Sequence, residues 1–334
     1  MVHFSPMLRI TSFKDFLHVD DWLVPGNEVF EEDILSKLKE TFKCSKIERK
    51  SFEYLGSHIE MKNDGSIELD QNSYVDAITS LEEFDGGDDR NLTDKEKKAV
   101  RGKIGELLWI SLMTRPDLSF DVNALSSEIA NATVSTAKSI NKIVKKAKHT
   151  RNILRFLALG DISTLRVKVY ADASFCNQEG RTRSTGGRVV LLENKNTGLV
   201  NIVSWKTKKI SRVCRSAKGA ETRALDDAID DAVNTARLVR EIYNGNINLK
   251  SPEQIPVRAL TDSKSLWDSL HNTRQCEEKL LRNSVAGIKE LLDLKMVEEV
   301  DWVPTDQQLA DCMTKKGKKA EWLLKVSRNN MLRA

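Results

Sequence analysis

No C-x-x-C pair occurs in the 334 residues, and the five cysteines (Cys44, Cys176, Cys214, Cys276 and Cys312) are scattered and odd in number. That pattern excludes a disulfide framework and a cysteine zinc site, and it fits a reducing compartment. The five histidines are dispersed as well, which removes support for haem, zinc and Cys–His nucleophile chemistry. No apolar run approaches the ~20 residues of a membrane-spanning helix. The opening MVHFSPMLRI lacks the basic segment and apolar core of a secretory leader. Internal repeats and low-complexity tracts are also missing.

What is present is an ordinary, slightly charge-rich composition, 40% hydrophobic and 31% charged, with length enough for two domains with real cores. The formal net charge is only +4, but its distribution is uneven. Residues 129–160 contain no acid while Lys138, Lys142, Lys145, Lys146, Lys148, Arg151 and Arg155 accumulate. A second acid-free window, 194–220, holds Lys195, Lys206, Lys208, Lys209, Arg212, Arg215 and Lys218. One such window reads as a solvated face. Two of them around a group of acids read as tracks for a polyanion.

Periodicity predicts a strand, an Asp20-Asp21 turn and a second strand up to Pro25, then a helix over 28–42 with Phe30, Ile34, Leu38 and Phe42 at helical spacing. A hairpin follows, FEYLGSHIEMK and IELDQ around the turn NDGS. Residues 82–98 read as a polar loop. Helices are expected through Ile104–Met113, over 118–130, and over the basic segment 136–158, where Ile140, Val144, Ala147 and Leu154 form one stripe. From Asp161 the pattern changes. LRVKVYADAS alternates, with Leu165, Val167, Val169 and Ala171 on one face and Tyr170 and Asp172 on the other. RVVLL and LVNIVSW complete a three-stranded meander. A long helix over 217–243, the strand IPVRALTD, the helix SKSLWDSL, a helix over 277–294, the strand VEEVDWV and a helical ending from Thr305 follow. This is an α/β (mixed α+β) chain, a mixed sheet with helices packed on it.

Four acids of this second part stand where chemistry would use them. Asp172 ends the first strand, Asp262 follows a strand and opens a helix, and Asp311 precedes the last helix. Singly, each is explained by a strand end or a helix cap. Glu221 is not. At 3.6 residues per turn it shares its stripe with Leu225, Ala228, Ala232 and Val239, whereas Asp226, Asp227, Asp230 and Asp231 fall on the solvent side. An inward acid needs a partner. Carboxylates converging without histidine or cysteine suit hard, oxygen-preferring cations such as Mg²⁺. Two such ions ~4 Å apart suit phosphodiester hydrolysis.

The segments YADASF, SRVCRSAKGAETRAL, LTDSKSLWDSL and WVPTDQQLADCMTKK resemble the RNase H domain of copia-type LTR retrotransposon Pol polyproteins over about residues 165–325. The resemblance makes Asp172, Glu221, Asp262 and Asp311 the catalytic, metal-binding acids. It implies two Mg²⁺ ions, with Mn²⁺ as a substitute, and hydrolysis of the RNA strand of an RNA–DNA hybrid lying along Lys206, Lys208, Lys209 and Arg212. One departure is that no histidine lies between Trp302 and Asp311, where many RNase H enzymes carry one, which bears on turnover. The first part joins the resemblance. HVDD (His18 to Asp21) is similar to the Y-V-D-D box of reverse transcriptases, FEYLGSHIE to the primer-grip hairpin, and GELLWISLMTRPDLSFDVNALS to the segment before RNase H. Asp20 and Asp21 are then vestigial polymerase acids. Asp15 is the single acid before them and shares their strand, so the expectation is no DNA synthesis by this chain alone.

The implied organisation is a partial reverse-transcriptase palm over 1–81, a helical thumb/connection region over 82–160 and an RNase H-like domain over 161–330. The implied partners are the hybrid and other parts of a Pol polyprotein, with no membrane; the implied setting is the cytoplasmic virus-like particle, and also the nucleus. The alternatives are a hybrid-binding relic that no longer cleaves, and a chain completed as a polymerase by a separate fingers-and-palm chain.

Overall fold

A computed structural model of the chain describes residues 2–3, 16–18, 21–23, 25–26, 40 and 47–332, apart from 177–182, 245–254, 273–275, 277 and 319. Near the start, β1 (Val2–His3) pairs in parallel with β4 (Pro25–Gly26), and β2 (Phe16–His18) pairs antiparallel with β3 (Asp21–Leu23), setting His18 opposite Asp21. The expected strand pair is therefore formed, with Asp21 in β3 rather than in the turn. Asp20 itself and the helix expected over 28–42 lie outside the described residues.

The stretch FEYLGSHIEMK, expected as one strand, is two: β5 (Ser51–Tyr54) turns through Leu55 and Gly56, both at positive φ, into antiparallel β6 (Ser57–Met61), and β6 forms the expected hairpin with β7 (Ile67–Asp70). Gly65 takes a positive φ of 79° in the turn, and the Asp64 carboxylate accepts from the Ser66 backbone at 2.9 Å. Helices α1 (Asn72–Ala77), α2 (Asp94–Met113), α3 (Ser119–Ser126) and α4 (Val134–His149) follow. They enclose an apolar core of Val100, Ile104, Leu107, Ile110, Leu118, Ile140 and Val144.

Of the boundaries that differ from expectation, two have a clear local cause. α2 begins inside the expected loop because Thr93 and Glu96 form a reciprocal capping box that satisfies the first free N–H groups. The basic helix stops at His149, not at 158. Thr150 leaves helical geometry, and Leu154–Phe156 becomes β8, which covers the open edge of β7 with Leu154 opposite Leu69. A buried sheet edge must find backbone partners, and this need overrides the helical stripe.

The second sheet runs β11 (Val200–Lys209), β10 (Thr185–Asn194), β9 (Leu165–Ser174), β12 (Val257–Thr261), β13 (Glu299–Trp302) in spatial order. β10 is antiparallel to both neighbours, whereas β12 is parallel to β9 and to β13. The mixed α/β class and the three-stranded meander are as expected. The long helix α5 (Ala217–Asn244), with α6 (Lys264–His271) and α7 (Arg282–Asp293), covers one face over Val167, Val169, Val190, Leu225, Ile229, Ala259 and Ile288. The opposite face carries Tyr170, Val189, Leu191, Ile202 and Trp205. It packs on Leu309, Met313 and α8 (Glu321–Asn329).

The helices of the first part also reach that second face. The Trp205 indole Nε1 donates to the Ser111 carbonyl at 2.7 Å, and the Asn123 amide donates to the Thr207 carbonyl at 3.2 Å. The ending is not one helix from Thr305. Two short 3-10 turns, Thr305–Gln307 and Asp311–Met313, precede α8, and Gly317 at φ 76° interrupts the chain between the second turn and that helix. A residue in the left-handed region cannot continue an α-helix. Among the described residues no helix is long and apolar enough to cross a membrane.

Candidate metal centre

Strand register brings the first two acids together. β9 and β12 are parallel neighbours with Thr261 beside Ala171, so the next residues, Asp262 just past β12 and Asp172 still within β9, which runs on to Ser174, lie side by side. α5 lies across both strands. Its Glu221 sits on the stripe that includes buried Leu225, Ala228 and Ala232, and the Ala173 backbone N–H donates to it. One carboxylate oxygen each from Asp172, Glu221 and Asp262 all lie within 4.8 Å of one another. The acids assigned to the solvent side of α5 are less uniform. Asp227 and Asp230 are exposed, but Asp231 pairs with Arg188 of β10.

The fourth acid, Asp311, is placed differently. It opens the 3-10 turn against the second face, with its side chain 10% exposed, and both its oxygens meet ammonium groups: Lys315 on Oδ1 and Lys318 on Oδ2, the latter at 2.7 Å. Lys315 Nζ also stands 3.7 Å from Asp172 Oδ2. Asp311 thus lies beside Asp172 across a lysine and is not in the three-acid group.

Several neighbours hold this geometry. The Thr314 hydroxyl donates to Asp172 Oδ2, the Thr305 hydroxyl donates to Asp262 Oδ2 at 2.9 Å, and the Trp302 indole donates to the Asp262 carbonyl at 3.0 Å. Gln308 donates to the Ala171 carbonyl at 2.9 Å, and Thr207 donates to the Met313 carbonyl at 2.8 Å, fastening the turn to the sheet. Gly187 is the strand partner of Asp172. A Cβ there would stand 2.6 Å from Met313 Cβ and 2.7 Å from Thr314 Cγ2, so only glycine lets the turn approach. The cap for α6 is Ser263 rather than Asp262, which leaves Asp262 free of the ordinary reason for its position.

Electrostatics sharpen the picture. Burial, reinforced by Asp172 and Asp262, pushes the Glu221 carboxyl up to about 9. Burial likewise pushes Asp172 up to about 6, against the pull of Lys315 and Thr314. Burial also opposes ionisation of Asp311, but Lys315 and Lys318 outweigh it and bring its carboxyl below the usual range. Glu221 Oε2 is buried with no hydrogen-bond partner. Unpaired buried carboxylates are costly, and a cation among these three would relieve the cost. Carboxylate oxygens are the donor set for a hard divalent ion, so the residues present fit one. The adjacent Cys312 is pushed up to about 12 by burial and Asp311, so its sulfur stays a neutral thiol.

Of the expected phosphate contacts, Lys206, Lys208 and Arg212 are exposed and Lys209 is partly buried. Lys206 and Lys208 alternate with the inward Thr207 on β11, and Lys208 reaches Asp227 of α5 at 3.5 Å. Lys209 faces the other side, beside Phe120 and Asn123. The set is thus divided between two faces. The first basic window is largely matched by acids from other elements: Lys138 with Asp88 at 2.6 Å, Lys146 with Asp121 at 3.1 Å, Arg151 with Asp76 at 2.6 Å and Arg155 with Asp64 at 2.5 Å. Lys142 and Lys145 are exposed.

Sequence reasoning did not single out Thr305, Thr314, Lys315 or Gly187. A Gly-Gly pair inside a strand (Gly186-Gly187) was the available sign of a close backbone approach. The i,i+4 spacing of Asp311 and Lys315 was the sign of an ion pair.

No family model matches the chain. It is similar to the retrovirus-related Pol polyprotein from transposon RE1 of Arabidopsis thaliana, 27% identical over 232 residues, which cover 67% of this chain and 14% of that protein. A putative transposon Ty5-1 protein of Saccharomyces cerevisiae is 25% identical over 215 residues, covering 59% of this chain and 66% of its own length. Among solved structures, RNase H1 from Halobacterium salinarum is 18% identical with a TM-score of 0.32, covering 45% of this chain and 94% of that one. The chain thus spans about one seventh of the length of the RE1 polyprotein.

Proposed function

We propose that this chain, which belongs with the retrovirus-related Pol polyproteins of transposons, is a divalent-metal-dependent nuclease of RNase H type. Its substrate in this reading is the RNA strand of an RNA–DNA hybrid. The observation that carries the proposal is the three-acid cluster at the carboxyl end of β9 and β12, with a buried, unpartnered Glu221 oxygen facing two further acids.

Asp172, Glu221 and Asp262 would hold Mg²⁺, or Mn²⁺ in its place. Bound there, the ion supplies a Lewis acid that lowers the pKa of water and offsets charge on a phosphate. The chain's own residues do the positioning. Thr314 orients Asp172, Thr305 orients Asp262, and the helix position of Glu221 fixes the third donor. Lys206, Lys208 and Arg212 offer phosphate contacts, which would make hybrid binding weaken with salt. Selection of a hybrid rests on duplex shape and 2′-hydroxyls rather than base sequence. Residues 18–21 enter this reading as ancestry and carry no assigned DNA synthesis. The remaining Pol segments are the proposed partners, and the cytoplasmic particle, with the nucleus, is the proposed setting.

The test is a hybrid carrying label on its RNA strand, incubated with Mg²⁺ and either the native chain or Asp262→Asn. The native chain should shorten the RNA, and the variant should be slower by ~100-fold or more, a loss of ~2.7 kcal/mol in barrier lowering. Equal RNA loss with both chains overturns the proposal. No loss with either, together with salt-sensitive retention of the hybrid, moves the reading to a binding module that does not cleave.

A further inference from the structure

The expectation of two metal ions meets an obstacle in the lysines. One oxygen each of Asp172, Glu221 and Asp262 gather within 4.8 Å of one another, so a second ion needs a further donor, and the neighbouring acid that offers one is Asp311, across from Asp172. Lys315 Nζ lies between those two. It pairs with Asp311 Oδ1 and stands 3.7 Å from Asp172 Oδ2. Lys318 takes the other Asp311 oxygen at 2.7 Å. Both oxygens of Asp311 are therefore already matched by positive charge.

The position of Lys315 is built by the fold. The 3-10 turn that carries Asp311 is fastened by Thr207 and by Thr314, whose hydroxyl reaches both Asp172 and the Asp311 carbonyl, and it is seated in the space that Gly187 leaves open. The Lys315 side chain is 34% exposed, so its ammonium is held among acids at the border of solvent. Charge balance agrees. Four carboxylates and two ammonium groups leave two negative charges, the charge of one divalent ion. The surplus lies on the Glu221 side, where an oxygen has no partner.

We propose that Lys315 occupies the second cation position of the cluster, so that the chain binds a single divalent ion at Asp172, Glu221 and Asp262. This rests on reading the three acids as a metal site and goes beyond it by fixing the stoichiometry. Lys315 acts as a positioning residue: it holds Asp172 and Asp311 in register and excludes a second ion by charge.

The test titrates the full chain with Mn²⁺ alone and counts bound ions by the electron paramagnetic resonance signal of free Mn²⁺. The native chain should bind one ion. Lys315→Met, which keeps the stem and removes the charge, should bind two, and Lys315→Arg should return the count to one. Glu221→Gln should lose the first ion. A native count of two overturns the proposal without reference to any variant, and so does a count of one in a Lys315→Met chain that keeps the native circular dichroism spectrum. A native count of zero overturns the metal-site reading itself, and this inference falls with it.

Discussion

Asp117 and Glu221 are both inward-facing acids, but they live in opposite circumstances. Asp117 follows the Arg115-Pro116 helix stop, and the Arg115 guanidinium grips both its oxygens at 2.9 and 2.8 Å while its third nitrogen donates to the Ala147 carbonyl. Both side chains are almost fully buried. That pair is complete within the protein. Glu221 instead faces Asp172 and Asp262 and has an oxygen with no partner. The difference separates structure from function more reliably than burial does. A buried acid whose partners are all supplied by the fold holds the fold together, whereas one left in deficit awaits something from outside.

Breaking the complete pair should have the largest effect. Arg115→Met leaves Asp117 buried and unpaired, and we expect a loss of ~3–5 kcal/mol, read as a lower urea midpoint at unchanged slope. An intermediate loss is expected where the fold makes room for the site. Gly187→Ala drives a methyl into Met313 and Thr314, and ~1–3 kcal/mol of overpacking strain should appear in the same urea experiment.

The deficient cluster should respond least to substitution, and with the opposite sign. Glu221→Gln, tested at pH 8 without metal, should stabilise the chain by ~1–2 kcal/mol, because the native glutamate must take up a proton on folding at that pH and the amide need not. The same contrast predicts a pH dependence. With Glu221 raised to about 9 and Asp172 to about 6, the folded chain binds more protons than the unfolded one between the ordinary carboxylate range and those values. Stability of the metal-free chain therefore falls as pH rises through that interval, by at most ~1.4 kcal/mol per pH unit for each such proton. Melting temperatures across pH 5–9 in EDTA should decline throughout for the native chain, and for Glu221→Gln should flatten above about pH 6, where the Asp172 contribution ends.

Much of this was legible in the sequence, for identifiable reasons. Alternation assigned Val167 and Val169 to one face of β9 and Tyr170 to the other, because a strand has a period of two and both faces are covered. Helical spacing turned Glu221 inward for the same kind of reason. Spacing failed where long-range pairing intervened. Leu154 fits the stripe of α4 numerically, yet the edge of β7 claims it as strand. Asp231, read as solvent-facing, meets Arg188 from a strand more than forty residues earlier. Likewise, the acids that pair with four of the basic residues of 129–160, namely Asp64, Asp76, Asp88 and Asp121, come from other elements and are not visible in the window itself. Lys315 was half visible: its i,i+4 relation to Asp311 is local, but its approach to Asp172 exists only once the turn has closed over Gly187.

The central claim, that the cluster around Glu221 is a deficit which a divalent ion fills, is tested most directly by thermal unfolding of the native chain and Glu221→Gln, each in EDTA and in excess Mg²⁺. The native chain should gain ~2.7 kcal/mol at a Mg²⁺ concentration a hundredfold above its dissociation constant, seen as a raised melting temperature, while Glu221→Gln should gain little. An equal rise in both chains, or none in the native one, would contradict it.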